Sequence, residues 1–221
     1  MIELAEKNAV SETIEEIKKN SKERKFKESI ELAVNMKEVD LSDPKNRINE
    51  EIILPKGRGK DLKVAVIGTA EMKTKAAKVA DFVFGPEDLG KFAEDKKAFK
   101  KLAGDVDFFV AEATLMAGIG KSLGQVLGPR GKMPKPLPPG QDPTPLINNL
   151  KKTVRARSRD RRTFHVPVGT RDMNTSDLVD NINSVVKRIV GRMEKGRGNI
   201  ESIYLKTTMG KAVKLDLEAI Q

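Results

Sequence analysis

Residues 62–110, LKVAVIGTAEMKTKAAKVADFVFGPEDLGKFAEDKKAFKKLAGDVDFFV, decide the fold. The apolar run Leu62 to Ile67 does not alternate, so it reads as a strand buried on both faces. A helical stretch from about Glu71 to Ala80 follows, then a short strand at Phe82 to Phe84. A second helix is expected from about Glu87 to Leu102, and a strand from Val106 to Val110. Strands alternating with helices predict a parallel sheet with right-handed crossovers, a small doubly wound unit.

Outward from this segment the rhythm changes twice. Downstream, residues 118–145 hold six of the 17 Gly and seven of the 11 Pro. Leu127 to Pro134 mixes turn residues with basic and apolar ones, and its freed backbone N–H groups predict an anion-binding concavity. Pro145 after Thr144 reads as the first helical residue after a cap, opening a short helix to about Lys152.

Upstream, Ser11 is placed to cap a helix with Glu12, Glu15 and Glu16 in its first turn and Lys18 and Lys19 at its end. Phe26 to Met36 then alternates, with Ile30, Leu32, Val34 and Met36 on one face. A second strand is expected near Ile48 to Leu54, and the basic loop PKGRGK (55–60) marks a boundary.

The last third returns to alternation. Phe164, Val166 and Val168 face one way, Thr163 and His165 the other. Leu178, Ile182, Val185, Val186, Ile189 and Met193 form one helix face, closed by Lys195 and Gly196. Ile203 and Leu205 alternate with Ser202, Tyr204, Lys206 and Thr208; Met209 and Gly210 turn the chain; Val213, Leu215 and Leu217 return. The predicted architecture is α/β with two domains. A discontinuous, sandwich-like α+β domain comes from residues 1–60 and 153–221, and a Rossmann-like α/β domain, 61–152, is inserted in it.

Charge and absences narrow the function. The 221 residues carry 42 Lys and Arg against 32 Asp and Glu, a net +10, which favours a polyanionic partner. Five arginines fall between Arg155 and Arg162, and Arg suits forked contacts to phosphate. With no Cys and one His there is no disulfide framework, no thiol chemistry and no ordinary zinc site. The amino end lacks a basic start followed by an apolar block, and no stretch approaches the roughly 20 apolar residues of a membrane helix. A cytosolic protein without membrane contact is expected. One Tyr and no Trp argue against a broad aromatic platform for bases.

Three motifs invite an enzyme reading. Gly120-Lys121-Ser122 resembles the end of a phosphate-binding loop, but Leu115 stands where its first Gly belongs. Gly118 and Gly120 start a dinucleotide fingerprint that Leu123 breaks. Gly120 to Gly124 matches the G-x-S-x-G elbow, with Asp142 or Asp160 and then His165 following in hydrolase order. A serine hydrolase using Ser122 is the alternative reading, and a non-specific basic nucleic-acid binder is the third.

At 127–134, LGPRGKMP, preceded by GKSLGQV, the chain resembles the L-one family of large-subunit ribosomal proteins. KFKESIEL (25–32), HVPVG (165–169) and YLKTTMG (204–210) resemble that family's other marked segments, in the same order. The resemblance implies a two-domain protein that binds large-subunit ribosomal RNA at the mobile side stalk. It also implies a link to release of exit-site tRNA, and repression of translation by binding the protein's own mRNA. It implies no enzyme activity, no cofactor, and a cytoplasmic monomer outside the ribosome.

By motif, the RNA contact would involve Lys25, Phe26, Glu28 and Ser29 on one side, and Ser202, Thr207, Thr208, Met209 and Gly210 on the other. His165 belongs to a marked segment, and a basic contact before it aligns with Arg159 or Arg161. The residues themselves allow plainer roles. Phe26 has the parity of its strand's core residues, Met209 and Gly210 suit a simple turn, and His165 suits a structural histidine.

Overall fold

The computed structural model describes residues 2–216, with side chains from Ala9 onward. Leu217, assigned above to the returning strand, lies outside the described residues. The chain divides into two compact units, one formed by residues up to Lys60 together with those from Lys152 onward, the other by Asp61–Lys151.

Helix α1 spans Ile2–Asn20 and buries Val10, Ile14 and Ile17, a stripe at helical spacing. Ser11 is therefore inside the helix and not its cap. The residues before it include Leu, Ala, Glu and Lys and no Gly or Pro, so nothing starts the helix at Ser11. Strand β1 is Ser29–Met36, shorter at its start than the alternation suggested, and β2 is Asn49–Ile53.

The second unit runs β3 (Val64–Ile67), α2 (Ala70–Ala76), β4 (Phe82–Phe84), α3 (Pro86–Glu94), α4 (Lys96–Asp105), β5 (Phe108–Glu112), α5 (Met116–Arg130), β6 (Lys135–Leu137) and α6 (Thr144–Lys151). Its sheet is parallel, in the order β4–β3–β5–β6. Ala65, Ile67, Phe109 and Ala111 pack against α4 and α5, while Val64, Val66, Phe108 and Val110 pack against α2 and α6. Helices on both faces explain why β3 reads as continuously apolar.

Three expectations change here. The helix expected over 87–102 is two, because Asp95 accepts hydrogen bonds from Lys97 N and Ala98 N and caps a new start. β5 begins two residues later than expected. The glycine-rich stretch is largely the helix α5. Burying Ile119, Leu123, Val126 and Leu127 at 1.5–3 kcal/mol each, by rough transfer values, outweighs about 1 kcal/mol per helical Gly.

α5 ends where Gly131 enters the left-handed region (φ 66°), with Gly131 N donating to Gly128 O and Lys132 N to Leu127 O. No anion cradle forms from this tract: its N–H groups serve the helix and its cap. Lys132 Nζ donates to Ala103 O (2.8 Å) and Val106 O, closing the end of α4. β6 follows as an edge strand, the one place in a sheet where Pro136 is tolerated.

The chain then returns to the first unit with β7 (Thr153–Arg157), β8 (Thr163–Thr170), α7 (Thr175–Arg192), β9 (Ile200–Thr207) and β10 (Val213–Leu215). β10–β9–β1–β8 form one antiparallel sheet, and β2–β7 a second. Ile30, Leu32, Val34, Phe164, Val166, Val168, Ile203 and Leu205 line the buried face, in one core with residues of α1 and α7. Two of the five arginines of the run, Arg155 and Arg157, belong to β7 itself, where Arg155 pairs with Glu51 (3.1 Å) across the strands.

The loop 55–60 is tied to the first unit by Asn181 of α7, which is fully buried. Its Nδ2 donates to Gly57 O (2.8 Å) and Val168 O (2.9 Å), and its Oδ1 accepts from Lys56 N (3.1 Å). Asn181→Leu strands three backbone groups, at least one of them buried. Its expected cost is about 2–4 kcal/mol in a urea melt; a loss below about 0.5 kcal/mol would show that the loop repositions freely.

Candidate nucleic-acid interface

The four-stranded sheet keeps one face open, and register sets what that face presents. Asn35 lies between Thr163 and Ser202, Ala33 between His165 and Tyr204, and Glu31 between Pro167 and Lys206. Lys214 extends the middle row beyond Tyr204. Asn35 binds both neighbours: its Nδ2 donates to Ser202 Oγ (2.8 Å), and its Oδ1 accepts from Thr163 Oγ1 (2.7 Å). This hydrogen-bonded row is fixed, while His165 and Lys214 stand exposed beside it.

At one end of the sheet, the start of β1 meets the ends of β8 and β9. Ser29 pairs with Thr170, and Thr208 N donates to Ser29 O (3.0 Å). Thr208 Oγ1 accepts from Ser29 N (3.1 Å) and donates to Ser29 O (3.2 Å). Glu28 is buried; its Oε1 accepts from Met209 N (3.2 Å) and lies 3.4 Å from Arg24 Nε. Its Oε2 is buried and has no hydrogen-bond partner. Thr170 Oγ1 and Thr207 Oγ1, on the two neighbouring strands, are buried and unpartnered as well.

Two large apolar side chains of these segments stand in solvent, Phe26 at 52% and Met209 at 61% exposure. Cations are close in sequence: Arg24, Lys25 and Lys27 before β1, Lys206 and Lys211 around the turn. Arg171 fixes the segment that carries Lys25 and Phe26, donating to Lys18 O (3.3 Å) and Lys22 O (3.4 Å). Lys18 in turn donates to Met173 O (2.7 Å). Burial, reinforced by the Arg171 charge and opposed by Glu15, holds the Lys18 ammonium below its ordinary pKa.

The residues singled out from the sequence thus fall into three places. Glu28, Ser29, Thr207, Thr208, Met209 and Gly210 meet at one sheet end, with Lys25 and Phe26 just before β1. His165 is midway on the open face. Ser202 is six residues along β9 from Thr208, about 20 Å at strand rise. Arg159 and Arg161 are exposed in the β7–β8 turn, near Asn35 and Met36, where Met36 N donates to Arg162 O.

Two roles change. Phe26 precedes the strand and is exposed, so it does not pack in the core; the ladder begins only at Ser29, the first residue with a partner in β8. Thr207 has the inward parity of Leu205 and is fully buried, so it offers no surface contact as it stands. Gly210 is required by close approach, because a Cβ there would run into Thr207 Oγ1. The open face also presents Asn35, Tyr204 and Lys206, residues that strand parity puts on the polar faces of their strands.

The enzyme readings fail on geometry. Ser122 lies inside α5 and donates to Gly118 O (2.8 Å), not on a strand-to-helix elbow. Asp142 belongs to the same compact unit but accepts from Thr144 N and Oγ1, and Asp160 and His165 belong to the other unit. Gly120-Lys121-Ser122 is helix interior, so it cradles no phosphate. The parallel sheet's switch point, between the carboxyl ends of β3 and β5, is closed by Glu112.

Glu112 Oε2 accepts from Thr69 N (3.1 Å) and Oε1 from Thr114 Oγ1 (3.1 Å). The Thr69 bonds, then that of Thr114, hold its pKa below the ordinary glutamate value. The cavity beside it is about 10 Å³, room for one water at most. Among the described residues no cluster of His, Asp or Glu is placed to hold a metal ion, and no helix is long and apolar enough to cross a membrane.

Comparison with known proteins agrees with this geometry. The model of the Ribosomal protein L1p/L10e family matches residues 17–211. The large ribosomal subunit protein uL1 of Thermoplasma acidophilum is 66% identical over 94% of this chain and 96% of its own length. The proteins of the same name from Picrophilus torridus and Methanocella arvoryzae are 67% and 51% identical, each over 94% of this chain and at least 97% of their own length. A match of this extent, spanning both compact units and the open sheet face, shows that the chain belongs to the ribosomal protein L1p/L10e family.

Proposed function

We propose that this chain is a structural constituent of the large ribosomal subunit in the cytoplasm, and that its open sheet face binds large-subunit ribosomal RNA at the side stalk. One observation carries the site: the exposed Phe26 and Met209 stand at the sheet end where the buried Glu28 holds Met209 N with one carboxylate oxygen and keeps the other, Oε2, without a hydrogen-bond partner. An orphaned acceptor beside cations suits a ribose 2′-hydroxyl, which donates a hydrogen bond that DNA lacks. Phe26 offers a ring to one base, and Lys25, Lys27 and Lys206 offer charge to phosphates.

The same constellation would read a copy of the RNA motif in the protein's own mRNA, making the chain a translational repressor. The exposed arginines of the β7–β8 turn, Arg159 and Arg161, suit phosphates of a further RNA, and exit-site tRNA is the one the family relation suggests. The chain acts here as a monomer, without cofactor or membrane.

Phe26 and Met209 separate binding from folding. Both are exposed, so Phe26→Ala and Met209→Ala should melt within about 0.5 kcal/mol of the parent. Each should weaken binding to a stalk RNA fragment by about 1–3 kcal/mol, roughly 5- to 150-fold, in calorimetry. If both bind like the parent, the sheet end is not the contact.

Thr208 behaves differently, because its hydroxyl serves the backbone of Ser29. Thr208→Ala should cost about 1–2 kcal/mol of stability without RNA, and Thr208→Ser should retain most of it. A Thr208→Ala melt equal to the parent's would show that the Ser29 bonds contribute nothing.

A further inference from the structure

The helix α4 is built against its own stability. Lys96 and Lys97 occupy its first turn, where cations oppose the helix dipole. Lys96 and Lys100, and Lys97 and Lys101, form two like-charge pairs at i,i+4 spacing, a repulsive arrangement. Gly104 continues the Lys96–Lys100 row, and a Cβ there would meet nothing within 4 Å, so packing does not call for glycine. All four lysines are exposed, and among the described residues none is in an ion pair within 4 Å. The acids beside them do not neutralise the face: Asp95 is spent on the helix cap, and Glu94 and Asp105 stand exposed at the two ends.

Phe99 and Ala103 bury the opposite side of α4, so the lysine rows face solvent as one strip. Local choices that each destabilise a helix, gathered on one exposed face, mark a surface kept for a partner. We infer that the Lys96/Lys97/Lys100/Lys101 face of α4 is a second, sequence-independent RNA contact that takes phosphates of the sugar–phosphate backbone. This inference rests on the reading of the chain as an RNA-binding protein. An anionic membrane is disfavoured because the strip holds four Lys and Gly104, with Asp105 at its end, and none of the apolar side chains an interfacial helix inserts. Gly104 leaves the strip flat where a backbone must approach.

The test uses the full chain and an RNA duplex of unrelated sequence, with affinity measured across a salt series. Lys97→Gln/Lys101→Gln should lower the slope of log affinity against log salt by about 1–2, one phosphate contact per lysine at most. It should weaken binding several-fold at low salt. The same variant should melt at or above the parent at low salt, because repulsion is removed. The control Lys78→Gln/Lys121→Gln changes net charge equally at exposed lysines on α5 and after α2, and should lower the slope less.

An unchanged slope, an equal loss in the control, or loss of binding to anionic vesicles but not to RNA overturns the inference. So does a lowered melt, which would make the lysines structural. A stalk RNA fragment run in parallel separates the two sites. If Met209→Ala leaves its affinity intact while the α4 variant still lowers the duplex slope, the sheet-end reading falls and the α4 contact stands.

Discussion

Strand β1 has no pairing partner in its own part of the chain. Its ladders run to β8 and β9, more than 120 residues later, across the whole inserted unit. Backbone N–H and C=O groups buried without partners are costly, so β1 cannot be a stable element until the carboxyl-terminal third arrives. Everything else in the first unit follows. The core of Ile30, Leu32 and Val34 needs Val166, Ile203 and Leu205 beside it, and α1 needs that core to cover its Val10, Ile14 and Ile17. Leu54 N donates to Lys152 O (2.9 Å), so the two chain crossings that bound the insertion are held together within the first unit.

This pairing also assembles the site. No segment of the sequence holds it: Glu28 and Ser29 come from one end of the chain, Thr170 from β8, and Thr207 to Gly210 from β9. Long-range pairing of this kind is slow to form, because loop closure precedes the contacts that reward it. It also means that an RNA binding across the three strand ends would favour the folded unit over every state in which β1 is unpaired.

How much was legible in the sequence depended on the kind of physics involved. Alternation is a backbone period, so β1, β8 and β9 and their inward residues were readable, as were the apolar β3 and the amphipathic α7. α5 was not, because glycine and proline composition outweighed the Ile119, Leu123, Val126, Leu127 stripe that tertiary packing then rewarded. Ser11 looked like a cap by type alone, but a cap also needs a break before it. Phe26 kept the strand's parity and yet fell outside the strand, since parity says nothing about where a partner strand ends. The site residues came from motif resemblance; what the sequence alone could not disclose was which strand ends meet, Ser29 beside Thr170 on one side and Thr208 on the other.

The three orphaned atoms at the sheet end give that arrangement its logic. Each unsatisfied buried polar group costs on the order of 1–3 kcal/mol, against a domain stability of only about 5–15 kcal/mol. On the proposed reading bound RNA offsets part of that cost, its 2′-hydroxyl donating the bond that Glu28 Oε2 leaves open. Of these atoms Glu28 Oε2 belongs to the carboxylate that holds Met209 N, so an RNA packing on the exposed Met209 meets the strand end which that carboxylate fixes. On that reading a ribose 2′-hydroxyl has an acceptor to donate to, a bond that deoxyribose cannot supply.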